Sequence, residues 1–159
     1  MRVENSYIPV RGVGEQTERA LWEAGATRWD HFDRDLVGET VGERIERFIE
    51  AAQPRLEAGD PDFFAERFPS NEQWRLYENF REDTLFLDIE TTGLDQRRDS
   101  VTTVSVHRDG DTSTFVQGRD LTADRLATVF DEAGLLATFN GAQFDVPFLE
   151  TQFDVDVDL

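Results

Sequence analysis

Two periods divide the apolar and polar positions along this chain. Up to about residue 82 the apolar residues recur at three- and four-residue intervals, the spacing of one helix face. From Thr84 onward they alternate with polar residues or gather in short blocks between turns, as strands do. The pattern predicts a helical region over 1–82 and an α/β domain over 83–159.

In the first part, Gly12-Val13-Gly14 turns into a helix on which Ala20, Leu21 and Ala24 share a face, and Gly25 can end it. Trp29 and Phe32 anchor a connecting piece. A helix over about 41–57 carries Ile45, Phe48, Ile49, Ala52 and Leu56 on one side. Pro54 should kink it or break its last turns, because proline has no N–H to donate. Gly59-Asp60-Pro61 stops the chain and restarts it as a short helical piece with Phe63, Phe64 and Phe68. Ser70 and Gln73 have capping-box spacing and should open a helix through Phe80. Its Trp74, Leu76, Tyr77 and Phe80 are expected in a core rather than on a base-stacking platform.

The second part opens on Thr84 to Leu94, read as a buried strand with Leu85, Phe86, Leu87 and Ile89, ending in Thr91-Thr92-Gly93. Ser100 to His107 alternates Val101, Val104 and Val106 with small or polar residues. Asp109-Gly110-Asp111 signals a hairpin, and Thr112 to Gln117 returns as a third strand. Thr122 caps an amphipathic helix bearing Leu126, Val129, Phe130 and Ala133, which Gly134 ends. Leu135 to Phe139 is a fourth strand, parallel to the first. Asn140-Gly141 then turns into a short helix with Phe144, Phe148 and Leu149, and Asp154, Asp156 and Asp158 alternate as at the start of another strand.

Composition changes this picture in three places. A length of 159 residues fits one domain, or a domain with a small appendage. No cysteine is present, which excludes disulfides and thiolate metal sites. No long apolar segment or signal-like start is present, so a soluble, cytoplasmic protein without a membrane partner is expected. The formal net charge is −18 and every basic residue is arginine, a surface like that of proteins from extreme halophiles, where salt screens self-repulsion. It leaves no broad basic patch for nucleic acid.

The candidate chemistry lies on the first strand. Side chains alternate along a strand, so Asp88 and Glu90 share a face about 7 Å apart. Other D-x-D pairs, such as Asp33/Asp35, Asp60/Asp62 and Asp109/Asp111, lie in polar or glycine- and proline-containing surroundings. Two carboxylates amid apolar neighbours need positive charge between them. Oxygen-only ligands point to Mg²⁺ or Mn²⁺. A purely structural pair is the alternative. Gly12 and Gly14 present N–H groups and a helix N-terminus that suit a phosphate, or form a plain tight turn.

Both parts resemble known families. Val10 to Gly25 is similar to the hairpin and second helix of the helix-hairpin-helix motif, whose members hold the DNA backbone through hairpin N–H groups. Here the preceding helix is abbreviated by Pro9, and Glu15 and Glu18 stand where basic residues are common. The order β-β-β-α-β-α with these carboxylates resembles a ribonuclease H-like fold. Leu87-Asp88-Ile89-Glu90-Thr91-Thr92-Gly93-Leu94 resembles the first motif of the DEDD-type 3′–5′ exonucleases, and Thr138 to Leu149, with Asn140 and Asp145, resembles the second. Together with the hairpin this is similar to a group of prokaryotic predicted nucleases.

The resemblance implies a metal-dependent nuclease, hydrolysing DNA or RNA from a 3′ end. Asp88, Glu90 and Asp145 would ligate Mg²⁺ or Mn²⁺, while Thr91, Thr92, Gly93 and Asn140 would hold the terminal nucleotide. Two metals about 4 Å apart would neutralise the attacking and leaving oxygens. The family's third motif, Y-x-x-x-D or H-x-x-x-D, has no counterpart after Asp145, and His31 and His107 are poorly placed to be a catalytic base. A truncated or degenerate domain is therefore expected. The alternatives are a non-catalytic nucleic-acid binder and a fragment whose sheet edge a partner chain completes.

Overall fold

The computed structural model describes residues 1–155 and 157, so Asp156 and Asp158 of the expected last strand lie outside the described residues. The chain divides into two compact units, Met1–Phe80 and Arg81–Leu159.

The first unit is helical. After a single 3₁₀ turn at Val3–Asn5, the Gly12 turn leads into α1 (Glu15–Glu23), then α2 (Glu39–Glu57), α3 (Pro61–Ala65) and α4 (Tyr77–Phe80). Gly12 and Gly25 take the left-handed backbone (φ +99° each) that the two turns require. Trp29 lies at the centre of the core, edge-on to Phe48 at 5.4 Å and stacked with Phe64 at 6.4 Å. Buried polar groups are paired: Trp29 Nε1 donates to the Ser6 carbonyl and the Tyr7 hydroxyl to the Arg28 carbonyl, each at 2.8 Å. Burial, with the charges of Asp30 and Glu18, pushes the Tyr7 hydroxyl up to about 12.

The last turns of α2 are not broken at Pro54, and the cap expected at Ser70 is absent. Pro54 neither ends nor splits α2, which runs on to Glu57; Pro54 and Glu50, the residue whose carbonyl loses its N–H donor, are both solvent-exposed, so water can replace the missing bond. Ser70 and Gln73 form no capping box. Residues Ser70–Leu76 are a 3₁₀ run whose N-cap is Pro69, and Gln73 Nε2 donates instead to the Ala65 carbonyl at 3.0 Å. The tighter winding turns Trp74 outward, 59% exposed, and Tyr77 at the start of α4 is 44% exposed, while Leu76 and Phe80 stay buried.

The second unit is mixed α/β, as expected. Its strands β1 (Thr84–Thr91), β2 (Val101–Arg108), β3 (Asp111–Val116) and β4 (Leu135–Thr138) form one sheet in the order β3-β2-β1-β4. β1 is antiparallel to β2 and parallel to β4, with Leu85 opposite Leu136 and Ile89 opposite Val104. The parallel pair needs a crossover, which α5 (Ala123–Asp131) supplies, and α6 (Asp145–Phe153) follows β4. Thr122 caps α5 by accepting the Arg125 N–H.

One face of the sheet is covered. Leu85, Leu87, Ile89, Val104 and Val106 pack with Leu126 and Phe130 of α5 and Phe148 and Leu149 of α6, and Val155 and Val157 join this core. The other face carries Phe86, Asp88, Glu90 and His107, all exposed. β1 is therefore half-buried, where its apolar run reads as a buried strand.

Candidate active site

Asp88 and Glu90 fall on the same face of β1 by strand alternation, opposite Ser105 and Thr103 of β2. Their face is the solvent-exposed one, so the apolar residues around them in sequence, Leu87 and Ile89, point the other way into the core. The β1–β2 register breaks between Glu90 and Thr91, where Thr102 bulges out and its Oγ1 donates to the Glu90 carbonyl at 3.0 Å.

Asp145 comes to this strand from the opposite side. β4 pairs with β1 only as far as Leu87, leaving the Ile89 N–H for another acceptor. The Asp145 carboxylate, in the first turn of α6, lies near enough to that N–H to be favoured in its ionised form by it. It is only 4% exposed, and its Oδ2 has no hydrogen-bond partner. Burial raises its pKa, its own N–H and that of Ile89 lower it, and the negative charge of Asp88 raises it further. The fold thus brings Asp145 within electrostatic reach of Asp88. Among the described residues no three His, Asp or Glu side chains converge, so Glu90 is beside the pair along the strand but not clustered with it.

The turns on either side are held rigid. Thr91 Oγ1 donates to the Gly93 carbonyl at 2.6 Å, and Thr92 exchanges bonds with Ser100, its N–H donating to the carbonyl and its Oγ1 accepting the N–H. Asp99 accepts the Asp95 N–H at 2.9 Å, and a Cβ on Gly93 would stand 2.4 Å from the Asp99 carboxylate. Leu94 projects from this loop, 84% exposed. Asn140 is exposed and left-handed (φ +65°), its carbonyl accepting the Gln143 and Phe144 N–H groups that start the run into α6. Gly141 is required behind it, since a Cβ there would meet Thr138 Oγ1 at 1.8 Å.

Phe86, Asp88, Ser105, His107, Thr138 and Phe139 line an open cleft of about 430 Å³ on the exposed sheet face. His107 shares a 2.8 Å hydrogen bond with Thr112 Oγ1 inside it, while His31 belongs to the first unit.

Gly12 and Gly14 lie on the exposed rim of the first unit's turn, where Arg44 Nη1 donates to the Arg11 carbonyl at 3.1 Å. Glu18, which stands where basic residues are common in the hairpin motif, is buried. Its carboxylate accepts from Ser6 Oγ, the Tyr7 N–H and Arg75 Nη1 at 2.7–2.8 Å, and Arg75 Nε donates to Glu72 at 2.6 Å. Sequence reasoning also missed Asp99, which closes its own loop on the Asp95 N–H, and Gln152, whose partners are backbone groups of another segment; neither leaves a periodic signal.

No helix among the described residues is long and apolar enough to cross a membrane. No curated protein matches the chain. Residues 85–159 match the family model of the RNase H superfamily. That match falls on the four-stranded sheet and its two helices, and supports the ribonuclease H-like superfamily, with its nuclease-like chemistry, for this part of the chain.

Proposed function

We propose that the second unit is a metal-dependent nuclease acting on DNA or RNA, of the 3′–5′ exonuclease kind. The observation that carries this reading is the buried, partnerless Oδ2 of Asp145 facing the charge of Asp88. Two carboxylates held together are unstable when both are ionised, and a cation between them removes the conflict. Their oxygen donors fit Mg²⁺ or Mn²⁺, with Asp88 and Asp145 as direct ligands and Glu90 completing the set from the same strand. A bound divalent cation would supply charge neutralisation at the phosphate and lower the pKa of an attacking water.

The remaining work falls to this chain's own groups. The Ile89 N–H orients the Asp145 carboxylate. The stiffened Thr91–Thr92–Gly93 turn presents backbone and hydroxyl groups beside Glu90, and exposed Asn140 stands at the other turn near Asp145; these hold the terminal nucleotide. In the first unit, the Gly12 and Gly14 turn beside Arg44 provides a contact for the nucleic-acid backbone. The net charge of −18 makes such placed groups, rather than a basic surface, the means of binding.

The test is release of nucleotides from a 5′-labelled single strand with Mn²⁺ in molar salt, for the wild type, Asp88→Ala and Asp145→Asn. A ladder shortening from the 3′ end, seen with the metal and absent from both variants, is the expected result. Cutting that survives either substitution overturns the site. The failure of three carboxylates to converge among the described residues favours one second reading, a nucleic-acid binder without the chemistry. In that case the strand is bound without metal and never shortened.

A further inference from the structure

Gln152 is bonded at both ends of its amide to backbone outside its own helix. Its Oε1 accepts the Val101 N–H at 2.9 Å and its Nε2 donates to the Asp99 carbonyl at 2.8 Å. These two groups flank Ser100 at the point where the loop from Thr92 enters β2. That loop is itself one hydrogen-bonded piece, closed by Thr92 with Ser100 and by the Asp99 carboxylate on the Asp95 N–H.

Gln152 follows Asp145 by seven residues. At 3.6 residues per turn the two lie on almost the same side of α6, about 10 Å apart along its axis. Between them Phe148 and Leu149 are fully buried against the sheet. α6 therefore meets the sheet through an apolar stretch and the paired bonds of Gln152 at the entry to β2 near its end, while at its start the Asp145 carboxylate lies near the Ile89 N–H of β1. Apolar contacts tolerate sliding and rotation, because they are non-directional. The paired bonds of an amide do not, because each needs its own distance and angle.

We propose that Gln152 is a positioning residue for the carboxylate pair: it fixes α6 along and about its axis, and so sets how Asp145 stands against Asp88. It also ties the Thr92–Ser100 loop to the same helix, so that the turn after Glu90 and the Asp145 carboxylate are held in one frame. The functional consequence rests on the reading of Asp88 and Asp145 as cation ligands.

The experiment uses the ¹⁵N-labelled full chain with two readouts. One is the Ile89 amide resonance without metal, which reports the Asp145 contact; the other is the Mn²⁺ dissociation constant from the electron paramagnetic resonance of free Mn²⁺. Gln152→Met keeps the length and volume of the side chain and removes both bonds. It is expected to shift the Ile89 amide and weaken Mn²⁺ about tenfold, the usual scale for losing a group that orients a ligand. Gln152→Glu keeps the acceptor for the Val101 N–H but sets a carboxylate against the Asp99 carbonyl, and should fall between. It decides the matter by the same readouts where Gln152→Met does not fold.

Leu126→Ala, in the same core, should lower the melting temperature while leaving the Mn²⁺ affinity in place. An unmoved Ile89 amide with Mn²⁺ affinity unchanged within about twofold in the Gln152 variants overturns the proposal. A wild type that binds no Mn²⁺ overturns the cation reading instead, and the Ile89 amide then decides the role of Gln152 alone.

Discussion

Asp145, in the first turn of α6, stands close enough to Asp88 of β1 for the charge on Asp88 to oppose its ionisation. Burial acts in the same direction and more strongly. Its folded pKa is therefore above the ordinary carboxylate value, and the folded state holds the proton more tightly than the unfolded chain. The stability this contributes is fully present below the unfolded pKa and is lost as pH rises through the folded one. Without divalent metal, the second unit should lose stability across that window. Asp145→Asn is neutral at every pH and should melt higher than the wild type near neutrality, with a flatter pH dependence. Calorimetry at constant salt over a pH series checks this; a variant that melts lower at neutral pH would count against the burial argument.

Gly141 has no room for a side chain. A Cβ would overlap Thr138 Oγ1 and Cγ2, and the backbone that must move to avoid them carries Asn140 into the turn before α6. Gly141→Ala should cost about 1–3 kcal/mol, the scale of overpacking a tight site. Because Asp145 follows that turn directly, cation affinity should fall with stability. Urea unfolding and Mn²⁺ titration of the same preparation test both halves; a drop in stability with unchanged affinity would separate the turn from the site.

Much of the second unit could be read in advance, because its signals are local. Strand alternation places Asp88 and Glu90 on one face whatever the rest of the chain does, and the Asp109-Gly110 turn and the Thr122 cap mark element ends by their own chemistry. Which face of β1 is covered was not local. Phe86 and Ile89 are equally apolar, and only the arrival of α5 and α6 on one side decides that Ile89 is buried and Phe86 exposed. The first unit shows the converse error. Ser70 and Gln73 have the spacing of a cap, yet the 3₁₀ winding that follows Pro69 sends Gln73 to Ala65 and Trp74 to the surface. Gln152 was beyond reach, since its partners are 51 and 53 residues away in sequence, and so was the pairing of Glu18 with Arg75, 57 residues on.

Glu18 and Arg75 form a buried ion pair at 2.8 Å, with side chains 2% and 7% exposed. Arg75 also holds Glu72, so removing the guanidinium leaves two carboxylates without their cation. Arg75→Met keeps most of the packing volume and should destabilise the first unit by about 3–5 kcal/mol, the cost of stranding a buried charge. Tryptophan fluorescence in urea follows this unit, since Trp22, Trp29 and Trp74 all belong to it. Glu18→Gln combined with Arg75→Met should recover part of the loss. Equal stability for the single and double variants would mean that the carboxylate, not the pairing, sets the cost.

Adding a divalent cation should reverse the conflict at Asp145. A ligand that binds only the folded state stabilises it by about 2.7 kcal/mol at a hundred times its dissociation constant. The gain should grow with pH, because the cation competes with the proton for the same oxygens. Chelation should restore the original melting temperature. The variants then assign the ligands: Asp88→Asn removes both a donor and the charge that raises the Asp145 pKa, so it should abolish the cation effect while easing the metal-free penalty. Glu90→Gln alters neither the burial of Asp145 nor the Asp88 charge, and so should leave the metal-free pH profile as it is. If Glu90 is a ligand, the variant nevertheless loses cation affinity. A Glu90→Gln protein that keeps full affinity would confine the site to Asp88 and Asp145, the two carboxylates whose charges oppose each other.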